Sequence, residues 1–401
     1  MIDKNELFRE IDKNRDSIIE LGDRLFECPE LGFKEFKTAE IIKGELDSLG
    51  IKYKSEIGIT GVKAEMGNGS YNIGIVSDMD ALPSKNVSGQ IHSCGHSIQT
   101  SIALATAKIL SRTNLLEGTD VKVNLIFAPA EEFIDFEYRD KLIGEGKILY
   151  RSGKQHMIAE GYFDDVDCVL SAHANGDREA KFDINSTLAG FMAKKAVFIG
   201  QAAHSGAAPH LGRNTLQGAV LCETAIAFIK DRFEPSYGVK INPVITEPGG
   251  TINIIPDRTV METYVRANDA DTLMYACQCV DRCIEHCARA MELDYEITNT
   301  KGYMPLKQST ALNSVVKENM LLLCNEGDIV DNVVSGASGD IGDVSCILPT
   351  IQFGFSGIEG IFHSDNFKIA DKENCYINTV KIMCGTILDL IENKALRVKG
   401  I

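Results

Sequence analysis

Apolar positions along the first half of the chain switch repeatedly between two spacings. Stretch 38–49 (TAEIIKGELDSL) places them at helical intervals and is followed by Gly50, a residue suited to ending a helix. Stretch 72–76 (NIGIV) is a short apolar run leading into the acidic turn SDMDALP. Helical spacing returns over 97–110, and the apolar runs 121–127 (VKVNLIF) and 166–171 (VDCVLS) predict two more strands. Apolar strands alternating with helices predict a mainly parallel sheet covered on both faces.

The rhythm changes between about Gly190 and Thr300. Here the pattern predicts a strand over 191–199, a helix over 214–233, strands over 239–247 and 259–266, a helix over 271–291 and a strand over 292–298. That β-α-β-β-α-β order is the ferredoxin-like pattern, and the α/β rhythm resumes after it. The expected class is α/β: a mixed, mainly parallel sheet flanked by helices, carried by 1–188 and 303–401, with a small ferredoxin-like domain inserted at 189–302.

Charge and composition narrow the function. Lys and Arg number 41 against 57 Asp and Glu, a formal net charge of -16, with no basic run; this argues against nucleic acid as a partner. The first 25 residues read as a charge-studded amphipathic helix without an apolar leader, and no stretch approaches the ~20 apolar residues of a membrane span. A cytoplasmic protein is expected, with no membrane partner. Its 12 cysteines then read as reduced thiols.

Candidate metal ligands follow several of the predicted strands. Cys94 and His96 lie in HSCGH, Glu131 and Glu132 in FAPAEE, His173 in SAHANG and His363 in FHSDNF. The carboxyl ends of parallel strands form the crevice where α/β proteins bind ligands, so these residues can converge there. Thiolate, imidazole and carboxylate together suit Zn²⁺, Mn²⁺, Co²⁺ or Ni²⁺ and not Ca²⁺. Of two adjacent glutamates, one can bind metal while its neighbour takes a proton from activated water; spacing leaves open which does which.

From CPELGFKEFKTAE through DMDALP, HSCGH, PAEE, AAHSGAAPH, GGTINIIP and YVRAND to GASGDIGDVS and FHSDNF, the chain resembles the aminoacylase and carboxypeptidase-like two-metal metallopeptidases. The likeness is to their amidohydrolase branch of hippurate, auxin-conjugate and aminobenzoyl-glutamate hydrolases. The resemblance implies a zinc-peptidase-like fold whose inserted domain is a lid and dimerisation unit. It implies two divalent ions held by Cys94, His96, Glu132, His173 and His363, with Cys94 bridging. Glu131 would be the general base, and Asp80 would orient a ligand. His204 would polarise the scissile carbonyl, often from the partner subunit, while Asn253 and Arg266 would hold a substrate carboxylate. The implied reaction is hydrolysis of an N-acyl, N-aroyl or aminoacyl amino acid, a small molecule with a free carboxylate. Peptidase action on longer peptides and a non-catalytic binding role are the rivals.

Some features depart from the pattern. Many relatives read CGHDxH where this chain has Ser97 and Gln99, and many carry Arg where Val76 stands. Stretch 133–157 is long and charged, with two open readings, a pocket wall or a partner contact. Cys277, Cys279, Cys283 and Cys287 share a predicted helix with His286 and read as a core stripe. His156 reads as a helix residue, His92 as a neighbour of Cys94, and His210 as a loop residue near His204.

Overall fold

A computed structural model describes residues 2–86, 88–175 and 180–399; Gly176 of the SAHANG motif lies outside them. The chain forms two compact units. The first comprises Met1–Ser186, Lys307–Val334 and Asp343–Ile401, the second Thr187–Leu306 and Ser335–Gly342.

The first unit is built on an eight-stranded sheet in the order Tyr53–Ile57, Gly61–Met66, Val121–Ala128, Tyr71–Asp78, Cys168–Ala174, Thr350–Phe355, Phe182–Ile184, Ile329–Asp331. Its four central strands run parallel to one another, the pairs joining them to either side are antiparallel, and the outermost pair of Phe182–Ile184 with Ile329–Asp331 is again parallel. The sheet is therefore mixed and mainly parallel, as the apolar runs predicted. Helices His96–Arg112 and Thr379–Glu392 are buried along almost their whole length and pack together. A helix with apolar or small residues on every side has no solvent face to turn outward; His96–Arg112 lies on the central strands, and Thr379–Glu392 packs against it.

The second unit contains the strands Gly190–Ile199, Lys240–Ile241, Val244–Glu247, Arg258–Ala267 and Asp294–Lys301 in one antiparallel sheet. Helices Thr215–Ile229 and Ala270–Ala290 pack on it and on each other. The β-α-β-β-α-β order is present, with the strand expected over 239–247 broken at Asn242 and Pro243. Proline has no N–H to give a sheet ladder, so the pairing restarts at Val244. Cys277 and Cys287 lie in this unit's core with Cys222, and Cys279 is also buried.

Candidate metal centre

Each candidate ligand is delivered by the end of an element. Cys94 and Gly95 form the turn entering the helix that begins at His96. Gly95 has φ 103°, and a Cβ there would stand 2.9 Å from the Ala174 Cβ; only glycine lets this turn pass the Cys168–Ala174 strand so closely. Glu131 and Glu132 follow the Val121–Ala128 strand after Pro129 and Ala130. His173 lies inside the Cys168–Ala174 strand, not after it, because the strand runs three residues further than the apolar run suggested. His363 adopts a left-handed backbone, φ 60°, and its amide donates to the Ser93 carbonyl at 2.8 Å.

These residues converge. Potential ligand atoms of Cys94, His96 and His173 all lie within 4.8 Å of one another, as do those of Cys94, Glu132 and His363, and those of His96, Glu131 and Glu132. Cys94 is common to the first two sets. Its Sγ is 3.8 Å from His173 Nε2, Glu131 Oε2 is 3.7 Å from His96 Nε2, and Glu132 Oε1 is 3.5 Å from His363 Nε2.

Hydrogen bonds prepare the histidines as ligands. His96 Nδ1 lies 2.9 Å from the Asp80 carbonyl and 3.1 Å from its carboxylate. Both partners only accept, so the proton sits on Nδ1 and Nε2 keeps its lone pair. His173 Nδ1 donates to the Ala174 carbonyl at 2.8 Å, with the same result. His96 Nε2 and Glu132 Oε1 are buried without a hydrogen-bond partner among the described residues. Buried polar atoms left in this way call for an ion or water, and a thiol, imidazole and carboxylate set fits a divalent transition metal.

The electrostatics of the metal-free site favour a neutral His173 but a protonated His96. Burial pushes the Cys94 thiol far up, with Glu132 adding to the effect. Burial and the neighbouring His96 lower His173 to about 4, which keeps it neutral. Burial opposes a charge on His96, but Cys94 and Asp80 outweigh it and raise its pKa. Burial also raises Glu132. A dication would reverse the burial penalty on the acids.

Three buried ionisable side chains around this site escaped the sequence reading. Lys154, inside the helix Gly153–Ala159, pairs with Asp78, and their side chains are 1% and 3% exposed. Arg139, in the helix Phe136–Gly144, is fully buried against main-chain carbonyls. Glu35 accepts from the Ala130 amide at 2.8 Å and from Thr60 Oγ1 at 2.5 Å. Stretch 133–157 thus sends two cations inward, a role outside both of its open readings. Gln99 Oε1 accepts from the Asp78 amide at 3.1 Å; Ser97 is buried. His156 lies in the helix Gly153–Ala159, and its Nδ1 accepts from the Leu149 amide at 3.0 Å. His92 is buried, its ring 6.3 Å from that of Phe26.

His204, Asn253 and Arg266 belong to the second unit. His204 and Asn253 are neighbours, because Ala203–His204 pairs with Ile254–Ile255 and Ser205 N donates to the Asn253 carbonyl at 3.0 Å. Arg266 lies near the far end of Arg258–Ala267, roughly 25 Å away at the usual rise per strand residue. One copy of this unit therefore does not bring Arg266 and Asn253 together as a clamp.

A model of the family described as peptidase family M20/M25/M40 matches residues 74–389, a stretch holding all five candidate ligands, Glu131 and Asp80. The chain belongs to this family. That description is of a peptidase family, in line with the hydrolase expected from the sequence. The chain is 27% identical to an IAA-amino acid hydrolase of Arabidopsis thaliana, over 63% of this chain and 56% of that protein. It is 28% identical to a hippurate hydrolase of Campylobacter jejuni, over 68% of this chain and 70% of that one. The match thus spans little more than half the length of the plant relative. In fold it resembles a dinuclear metal binding peptidase of the M20 family from Bacillus subtilis, with a TM-score of 0.75 and 19% identity over 95% of this chain and 99% of the other. Among the described residues no helix is long and apolar enough to cross a membrane.

Proposed function

We propose that this chain is a two-metal amidohydrolase that releases an amino acid from an N-acyl, N-aroyl or aminoacyl conjugate. The carrying observation is the position of Cys94, common to one ligand set with His96 and His173 and to another with Glu132 and His363. Zn²⁺, Mn²⁺, Co²⁺ or Ni²⁺ held by those five residues would supply Lewis acidity and a water acidic enough to lose a proton near neutrality.

Glu131 is the base. It lies at the same site as Glu132 and His96, so its carboxylate can take the proton from the attacking water and return it to the leaving amine. Glu132, buried and set against His363, is left as the ligand. His204 Nδ1 accepts from the amides of Gly206 and Ala207 at 3.2 and 3.1 Å, so the neutral ring carries its proton on Nε2. That proton can bond the oxygen of the scissile carbonyl as negative charge develops there. Asn253 Oδ1 accepts from Thr251 Oγ1 at 2.7 Å, which leaves its amide hydrogens for a substrate carboxylate. Arg266 lies over Phe191 and Tyr264 and donates to the Gly336 carbonyl at 2.9 Å, an orientation suited to binding a carboxylate with its remaining donors.

A homodimer formed through the second unit, acting as a lid, completes this reading. The separation of Arg266 from His204 and Asn253 is bridged when each site draws on both copies. Helix Thr215–Ile229 supports such pairing, since Val220, Leu221 and Phe228 are exposed on one side of it and an apolar stripe of this kind favours a partner.

The test is amino-acid release from hippurate-like, aminobenzoyl-glutamate-like and dipeptide substrates by metal-stripped protein, with and without each metal. Metal-dependent turnover that disappears in Glu131→Gln, with two metals still bound, supports the reading. Turnover of longer peptides alone would make the chain a peptidase. Two bound metals without turnover of any substrate would favour a binding protein, and no metal binding would sink the mechanism.

A further inference from the structure

We propose that Arg139 is a positioning residue of the hydrolytic site, fixing the backbone of 130–132 so that Glu131 and Glu132 serve different partners. This rests on the amidohydrolase reading and adds to it a residue of the charged stretch 133–157.

Consecutive side chains of an extended strand point to opposite faces. Glu131 and Glu132 nevertheless reach a common site with His96, and Glu132 also meets His363. The chain achieves this by turning at Ala130, whose φ is 54°. A left-handed alanine is strained and persists only where its surroundings hold it.

The holding groups are buried and ionisable. Glu35 accepts from the Ala130 amide and Asp80 Oδ2 from the Glu132 amide, at 2.8 and 3.0 Å. Arg139 secures the carbonyl side: Nη2 donates to Glu132 O at 2.6 Å, and Nη1 donates to Ala130 O at 3.4 Å and Arg151 O at 2.7 Å. One planar guanidinium therefore straddles Glu131 and ties both flanking carbonyls to a third. Lysine has a single nitrogen and cannot reproduce that fork.

The surroundings make room for it. Gly32 stands where a Cβ would come within 2.6 Å of Arg139 Nη2 and 2.8 Å of Ala130 Cα. The guanidinium lies 5.5 Å from the centre of the Phe33 ring. Arg139 is fully buried, and its hydrogen bonds to Ala130, Glu132 and Arg151 all go to main-chain carbonyls. Burying a cation is costly, and here two of its hydrogen bonds go to the carbonyls on either side of Glu131, those of Ala130 and Glu132.

The full-length chain would be compared with Arg139→Met and Arg139→Lys for folding by circular dichroism, for Mn²⁺ affinity and stoichiometry by calorimetry, and for kcat and KM on the best wild-type substrate. The proposal expects folded variants that still bind two ions, about tenfold more weakly. It expects kcat to fall about a hundredfold in Arg139→Met with KM nearly unchanged, and Arg139→Lys to recover only a small part. Wild-type kcat and metal affinity in Arg139→Met would overturn it, and so would an effect confined to KM. If neither variant folds, Arg139 is a core strut and the proposal falls. Absence of wild-type turnover would count against the amidohydrolase reading alone; metal affinity then decides, weakened in support of the proposal or unchanged against it.

Discussion

Asp80 accepts the Glu132 amide at 3.0 Å through Oδ2, while its Oδ1 lies 3.1 Å from His96 Nδ1. One buried carboxylate thus sets the backbone of one candidate ligand and the ring of another. The two ligands arrive from different elements, a loop and a helix start, and Asp80 is the atom group they share.

Replacing Asp80 with Asn turns one of those acceptors into a donor facing an N–H. Metal affinity should fall roughly 10–100-fold, the usual effect of losing a group that orients a ligand. Calorimetric titration of metal into stripped Asp80→Asn checks this, and an unchanged affinity would refute it.

The raised thiol of Cys94 is protonated in the metal-free protein near neutral pH, whereas metal binds thiolate. Loading should release about one proton from this side chain, and affinity should rise with pH. Titration in two buffers of different ionisation enthalpy measures the release. Cys94→Ser should remove that proton from the balance.

Lys154→Met leaves Asp78 buried without its cation. The expected loss is about 3–5 kcal/mol of stability, read by urea unfolding. Lys154→Met combined with Asp78→Asn should recover much of it, since no charge then remains uncompensated.

Burial, reinforced by the Asp80 charge, raises Glu35 from 4.5 to about 8. The folded chain therefore holds this proton where the unfolded chain has released it. Stability of the metal-free protein should fall as pH rises across that window and level off above it. Glu35→Gln mimics the neutral acid, so its advantage over wild type should grow from the acid end to the alkaline end. Equal pH dependence of the two proteins would refute the assignment.

Phe228→Glu places a charge in the exposed stripe of helix Thr215–Ile229. It should convert a dimer to monomer in sedimentation and leave the fold of each unit intact. Activity should fall with dimer content if each site draws on both copies.

The sheet was legible because its central strands are apolar runs of the right length, and the candidate ligands because they follow those strands. His173 shows the limit: its strand ends on His173 and Ala174, which carry no hydrophobic signal distinguishing strand from loop. Arg139 and Lys154 were illegible for a different reason. Charged residues in a charged stretch read as a solvated surface, and only the tertiary placement of carbonyls and Asp78 makes their burial tolerable. Likewise, spacing gives no sign that Arg266 lies at the far end of its strand from Asn253.

The place of Thr350–Phe355 between Cys168–Ala174 and Phe182–Ile184 has a consequence during synthesis. The second unit possesses all five of its main strands once Lys301 has been made. The large sheet must wait for Thr350, with the inner edge of Cys168–Ala174 open until then, and His363 arrives later still. An open edge of this kind invites mispairing, and a stalled or clipped chain would keep it exposed. Such a chain also lacks His363, so under the proposed two-metal reading the ligand set is complete only once the polypeptide has been made through at least that residue.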